Sequence, residues 1–235
     1  MPGPVALVGA GEFTPAMTEI DDELLASTGR TRPRVVVLPT ASYPDGEEVF
    51  QRWATIGVDH FSALGAEVEP VLVRSHADAD DASAAQAVGE ADLVYLSGGK
   101  PGYLLGALAG SAVGAAIAAA HARGAAVVGC SAGAMVLAAR TFDFRLKAMP
   151  WPLRWDRGLG FAEGVAVMPH YDAWPEPVSA LVVLQSPRGV TVLGIDEETA
   201  AVGRDGSWQV RGASRVTVWR GRHRERFRAG DVFRL

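Results

Sequence analysis

The chain encodes an α/β protein, a doubly wound and mostly parallel sheet with helices on both faces and a C-terminal antiparallel meander. Three features lead there. Short apolar, β-branched runs alternate with longer amphipathic stretches through the first 196 residues. The apolar runs are continuous rather than alternating, as strands covered on both faces require. After Ile195 the rhythm changes to short strands separated by tight turns. The strands expected are Val5–Val8, Arg34–Pro39, Glu67–Val73, Leu93–Leu96, Ala125–Gly129, Val165–Met168 and Thr191–Ile195, each bounded by Gly, Pro or Asp. Helices are expected at about 14–28, 46–64, 80–88, 101–122, 132–139 and 174–186. Thr14-Pro15 has the form of a cap and a helix-starting proline. Gly29, Gly65 and Gly124 stand where helix-ending glycines belong. The meander comprises Thr199–Val202, Ser207–Arg211, Arg215–Trp219 and Arg222–Phe227, with turns at Asp205-Gly206 and Arg220-Gly221. It is expected to close one edge or end of the sheet, and residues 1–235 form a single domain.

The 235 residues, 49% hydrophobic and 21% charged, are enough to bury a substantial core. A single cysteine, Cys130, excludes an internal disulfide and a zinc site built on several cysteines. The apolar stretch Ala107–Ala120 is too short for a membrane span, and no signal peptide is visible at the N-terminus. The expected location is the cytoplasm, with no membrane partner. Net charge is −5, yet Arg204–Leu235 carries nine Arg against three acids. A basic tail can bind phosphates. The interleaved Val, Trp and Phe favour a hairpin with solvated Arg on its outer face, so nucleic acid is not an expected partner.

The strongest chemical signal is Gly129-Cys130-Ser131-Ala132-Gly133, lying between an apolar strand and a helix. Gly-x-Ser-x-Gly in that context is a nucleophile elbow, where a tight turn leaves room only for glycine two residues either side of the serine. It would hold Ser131 at the carboxyl end of a strand, the edge where open α/β sheets bind ligands. The following helix supplies N–H groups and a positive dipole end, with Ala132 N–H as the natural oxyanion donor. An elbow centred on Cys130 would need a small residue at 128, where Val stands. Cys130 is therefore a neighbour of the nucleophile.

Serine needs a base. Of the five histidines, His60, His76, His121 and His223 fall in helical, loop or meander positions, and none forms a pair at metal-ligand spacing, so no metal is expected. His170 follows the strand Val165–Met168 and shares the rim of the sheet with Ser131. The base needs an acid to orient it. Asp196, Glu197 and Glu198 end the next strand, Asp172 lies two residues after the histidine, and Asp143 follows the nucleophile helix. Gly9-Ala10-Gly11 follows the first strand as a dinucleotide fingerprint would. The third glycine is Thr14, however, and no acid ends the second strand, so no nucleotide or other cofactor is expected.

Ser97-Gly98-Gly99, Gly129–Ala134, Pro169-His170-Tyr171 and Gly194–Ala200 occur in that order. Over roughly residues 5–203 this arrangement resembles the serine peptidases that include aspartyl dipeptidase (dipeptidase E) and cyanophycinase. That family shares the fold of class I glutamine amidotransferases, with serine in place of cysteine. The resemblance implies a serine-type peptidase or amidohydrolase cleaving a small peptide or amide through an acyl-enzyme. Ser131 would be its nucleophile and His170 its base. Glu197 best matches the acid, with Glu198 one residue off. Gly99 N–H would be the second oxyanion donor. Two readings compete with it: a non-catalytic ligand-binding protein on the same scaffold, and a glutamine amidotransferase-like amidase using Cys130.

The chain departs from the family pattern at three places, one of them Ala148, which precedes Met149-Pro150 where the family offers an acidic residue. Lys100-Pro101 stands where a polar residue such as Gln, Asn or Thr is frequent, and Tyr171–Pro187 contains none of the Arg residues that would grip a substrate carboxylate. In Thr141–Gly160, the aromatics Phe142, Phe144, Trp151 and Trp155 interleave with Arg145, Lys147, Arg154 and Arg157. That segment is expected to wall the pocket, with Lys100, Arg154, Arg157, Trp151 and Trp155 as substrate-binding candidates. A surface loop, or an oligomer contact such as a homodimer's, is its alternative use.

Overall fold

A computed structural model describes residues 1–142 and 152–235, which form fourteen strands and eight helices. Five parallel strands make the centre of the first sheet: β1 (Val5–Val8), β2 (Arg34–Leu38), β3 (Glu67–Pro70), β4 (Leu93–Leu96) and β5 (Ala126–Cys130). Three antiparallel strands extend it on the β1 side: β10 (Thr199–Arg204), β11 (Ser207–Gly212) and β14 (Val232–Arg234). All residues of β1, β4 and β5 are buried, which explains why their sequences lack alternation.

The remaining strands form a second sheet. Its parallel part is β6 (Ala138–Phe142), β8 (Ala162–Met168) and β9 (Thr191–Ile195); β7 (Trp155–Arg157), β12 (Arg215–Arg220) and β13 (His223–Arg228) are antiparallel additions. The expected class therefore holds, but its strands divide between two sheets. The C-terminal strands do not close one edge. β10, β11 and β14 join the first sheet, while β12 and β13 continue the second.

Helices cover both faces of the first sheet. Against one pack α1 (Thr18–Ala26) and α2 (Glu47–Ala63), through Ile20, Leu24, Leu25 and Phe61. The other face meets α4 (Ala82–Glu90), α5 (Pro101–Leu108), α6 (Ala112–Arg123) and α7 (Ala132–Leu137) in a cluster that also takes Val165, Val167, Leu193 and Ile195 of the second sheet. Each such buried aliphatic side chain contributes about 1.5–3 kcal/mol relative to exposure. The short α3 (His76–Ala79) starts with a capping box between Ser75 and Asp78. On the far face of the second sheet, α8 (Glu176–Leu184) buries Val182 and Val183 against Ala166, Met168 and Trp219.

Three boundaries differ from expectation for local reasons. The helix expected at 101–122 is two helices bent by 88°. Gly110 takes a positive φ of 77°, and the Ser111 side chain accepts from Gly114 N–H to start a new helix. No single helix among the described residues is long and apolar enough to cross a membrane. Pro15 begins a 3-10 turn before α1, and Thr14 donates back to Gly11 O (2.7 Å) instead of capping. α7 ends at Leu137, and Ala138 turns directly into β6.

Candidate active site

β5 runs into α7 through Ser131, whose φ of 50° and ψ of −107° are strained for a residue with a side chain. Close packing produces that bend. A Cβ on Gly129 would lie 2.4 Å from the Gly133 carbonyl carbon, and one on Gly133 would lie 2.2 Å from Leu96 O. Only glycine lets the helix start so close to the strand. Ser131 N–H donates to Val8 O (2.9 Å), which ties the bend to β1.

The second sheet delivers His170. His170 follows β8 and Pro169 in a left-handed conformation (φ 50°, ψ 39°). Its N–H donates to Gly9 O (3.3 Å) across the boundary between the sheets. The next residue, Tyr171, lays its ring on Gly194, where a Cβ would come within 2.3 Å of the ring, and its hydroxyl accepts from Trp219 Nε1 (2.9 Å). The imidazole thus stands on an anchored backbone. Ser131 Oγ lies 3.0 Å from His170 Nε2, and His170 Nδ1 lies 2.7 Å from Glu197 Oε1. With the proton on Nδ1 facing the carboxylate, Nε2 accepts from the serine hydroxyl, the polarity general-base chemistry needs. About half of the Glu197 and His170 side-chain surface meets solvent (50% and 42%).

The other carboxylates are separated from the imidazole by their own bonds. Asp172 accepts from Glu197 N–H (3.0 Å), so it holds the backbone of Glu197 rather than the His170 imidazole. Glu198 adopts φ 52°, donates its N–H to Ala10 O and places its side chain near Gly11. Asp196 is buried with Ser214 Oγ (2.7 Å) and Arg215, and burial pushes its pKa up despite both partners. Asp143 falls outside the described residues.

Ala132 heads α7, where a helix N–H has no intrahelical acceptor. The loop after β4 brings Gly98 beside Ser131, a Cβ there lying 3.4 Å from Ser131 Cβ. Gly99 sits at φ 142°, where a Cβ would lie 2.2 Å from Ala41 O. Cys130 is fully buried, and burial followed by the nearby Glu12 charge pushes its thiol pKa well up. A protonated, inaccessible thiol is no nucleophile, so the amidase reading through Cys130 loses its reactive group.

A cleft of about 810 Å³ opens beside His170 and Gly99, walled by Met135, Phe142, Tyr103 and Trp174. Lys100 lines it, with its ammonium 3.2 Å from Asp45. The expected aromatic and cationic wall is only partly there. Trp155 stands behind Phe142, with ring centroids 4.9 Å apart, and does not line the cleft. Arg154 is largely exposed and pairs with Asp156 (3.2 Å), while Arg157 pairs in β7 with Arg140 of β6; neither lines the cleft. Arg157 lies on β7, an edge strand of the second sheet, and Arg154 just precedes it. Trp151 lies outside the described residues. Among the described residues no cluster of His, Cys, Asp or Glu could hold a metal. In the Arg-rich end, Arg211, Arg215, Arg220 and Arg224 pair with Glu23, Asp196, Glu225 and Glu176.

One residue escaped the sequence. Glu12, just after β1, accepts from Gly98 N–H (2.8 Å) and from Cys130 Sγ (2.8 Å). Its only sequence signal is position, at the carboxyl end of a parallel strand.

The model for peptidase family S51 matches residues 5–211. The crystal structure of a peptidase from an acI-B1 Actinobacterium is similar with a TM-score of 0.89 and 31% identity, covering 100% of this chain and 98% of that one. That of a putative peptidase E protein from Listeria monocytogenes EGD-e shares the fold, with a TM-score of 0.65 and 19% identity, covering 91% of this chain and 100% of that one. No curated protein matches. A family model spanning most of the chain, together with a full-length structural match, leads to one conclusion: the chain belongs to peptidase family S51.

Proposed function

We propose that this peptidase is serine-type and cleaves small peptides or amides through an acyl-enzyme. The observation that carries the reading is the unbroken relay from Ser131 Oγ through His170 to Glu197, at 3.0 and 2.7 Å. Ser131 Oγ attacks the carbonyl carbon as its proton passes to His170 Nε2. Glu197 stabilises the resulting imidazolium. Gly99 and Ala132 N–H groups receive the oxyanion, each donor being worth about 3 kcal/mol in the barrier. His170 then protonates the leaving amine, the C–N bond breaks, and the acyl group stays on Ser131. Water, deprotonated by His170, attacks the ester and releases the acid.

The cleft supports a reading of the substrate class. Its walls are Met135, Phe142, Tyr103 and Trp174, and the one cation among its described lining residues, Lys100, is already paired. An apolar side chain next to the scissile bond suits these walls; an aspartate would enter without a bidentate partner. The test combines a small aryl phosphonate with a dipeptide panel. Ser131 is expected to carry the adduct, Ser131→Ala and His170→Ala to lose it, and Leu- or Phe-led dipeptides to outrun Asp-led ones. A folded wild-type protein that takes no label and cleaves nothing overturns the mechanism. Preference for Asp-led peptides overturns the substrate class alone.

A further inference from the structure

We infer that Glu12 is a positioning residue that aims the oxyanion donor. This rests on the serine-peptidase reading above. The loop Ser97–Lys100 offers four N–H groups beside Ser131. Ser97 N–H donates to Leu38 O (3.2 Å), Lys100 N–H to Ala41 O (2.7 Å) and Gly98 N–H to the Glu12 carboxylate (2.8 Å). Among the described residues none accepts from Gly99 N–H. Three bonds thus immobilise the loop and leave one donor for the reaction. The Leu38 and Ala41 carbonyls belong to the chain at the end of β2. Among the described residues only Glu12 fixes the loop from the side of Ser131, with Oε1 2.6 Å from where a Gly98 Cβ would sit.

Glu12 is itself held. Its second oxygen takes the Cys130 thiol (2.8 Å), the residue before the nucleophile, so one carboxylate links the oxyanion loop to the elbow. The backbone beneath it is locked by Phe13 at φ 62°, a conformation a bulky residue adopts only when its surroundings impose it. Those surroundings are the rings of Tyr95 (4.8 Å between centroids), His60 (5.7 Å) and Phe61 (6.0 Å). Thr14 closes the turn by donating through both N–H and hydroxyl to Gly11 O (3.2 and 2.7 Å). The Gly9-Ala10-Gly11 segment, which mimics a nucleotide fingerprint, is thereby given another use. It turns the chain so that an acid reaches across to a loop 86 residues away. The buried cysteine also gains a purpose as donor to that acid.

The experiment compares wild type with Glu12→Ala, Glu12→Asp and Glu12→Gln, each titrated for competent sites with a phosphonate. The readouts are kcat, KM, affinity for a peptide aldehyde, which forms the oxyanion, and Tm. Ala removes the acceptor and Asp is too short to reach it. Both are expected to lower kcat per titrated site by about 100-fold, the loss typical of one oxyanion donor, with KM nearly unchanged. Aldehyde affinity falls by the same factor. Gln keeps an acceptor oxygen for Gly98 N–H and recovers kcat to within about fivefold, a neutral acceptor being weaker than a charged one. If Ala and Asp only lower Tm or the number of titratable sites, with kcat per site and aldehyde affinity intact, Glu12 is structural and the inference is overturned. A wild-type protein that takes no phosphonate overturns the serine reading itself, a different result from labelled wild type with unaffected variants.

Discussion

Replacing Glu197 by Gln separates chemistry from stability more sharply than any other change at the site. The carboxylate sits 2.7 Å from His170 Nδ1, and in the proposed mechanism it stabilises the imidazolium that forms as Ser131 gives up its proton. A hydrogen bond to a charged partner is worth about 1.5–3 kcal/mol, and about 1.4 kcal/mol is tenfold in rate. The expected loss of phosphonate labelling rate is therefore about 10- to 150-fold. It stays below the roughly 10⁴-fold of a sealed triad because water reaches about half of both side chains and replaces part of the carboxylate's effect. Stability should hardly move. An exposed ion pair contributes about 0–1 kcal/mol, or at most about 4 °C in Tm for a chain of this size. The assay is the second-order rate of adduct formation by intact-protein mass spectrometry, beside a thermal melt. Labelling within about threefold of wild type, or a larger loss in Glu198→Gln than in Glu197→Gln, would show that the imidazole is oriented by something else.

Three further outcomes follow from packing and ionisation. Gly133→Ala should cost about 1–3 kcal/mol and most of the activity, because the new Cβ meets the Leu96 carbonyl oxygen at 2.2 Å and pushes the elbow outward; chemical denaturation measures the first and labelling the second. Cys130, fully buried with its thiol pKa pushed up, should resist iodoacetamide at pH 8 in the native protein and react after unfolding in urea; rapid native alkylation contradicts that placement. Glu47, hydrogen-bonded by Arg74, has its pKa lowered to about 2. A depressed carboxylate contributes stability above its unfolded pKa of about 4.3 that is lost as pH falls toward 2. Melts of wild type and Glu47→Gln should therefore differ above about pH 4.5 and converge near 2, by a small margin because the pair is exposed.

The parts of the site that turn on local chemistry were legible in the sequence. Ser131 announces itself because the bend needs two flanking glycines, and His170 because it ends an apolar strand. Parallel strands expose their carboxyl ends on a common rim, which brought Glu197 within reach of selection too. Contacts between distant segments were not legible. Glu12 matters only because the loop after β4 lies across from it, and no feature of residues 9–14 encodes that neighbour. The division into two sheets was hidden for a similar reason. β8 and β9 are apolar runs like β4 and β5, and such runs do not specify which strand they pair with. β6 was missed because Ala138-Ala139-Arg140 carries no β-branched residue and tertiary pairing overrides its helical propensity. The break at Gly110-Ser111 was visible as a helix-ending glycine followed by a capping serine, and was masked by the alanines around it.

The hydroxyl belongs to one sheet, while the imidazole and its carboxylate belong to the other, joined where His170 N–H meets Gly9 O. On the proposed mechanism the ribosome delivers the nucleophile well ahead of the groups that activate it, so a growing chain would carry an inert alcohol until residue 197 has emerged and both layers have docked. On that mechanism, cutting ability is a property of the joint rather than of either layer.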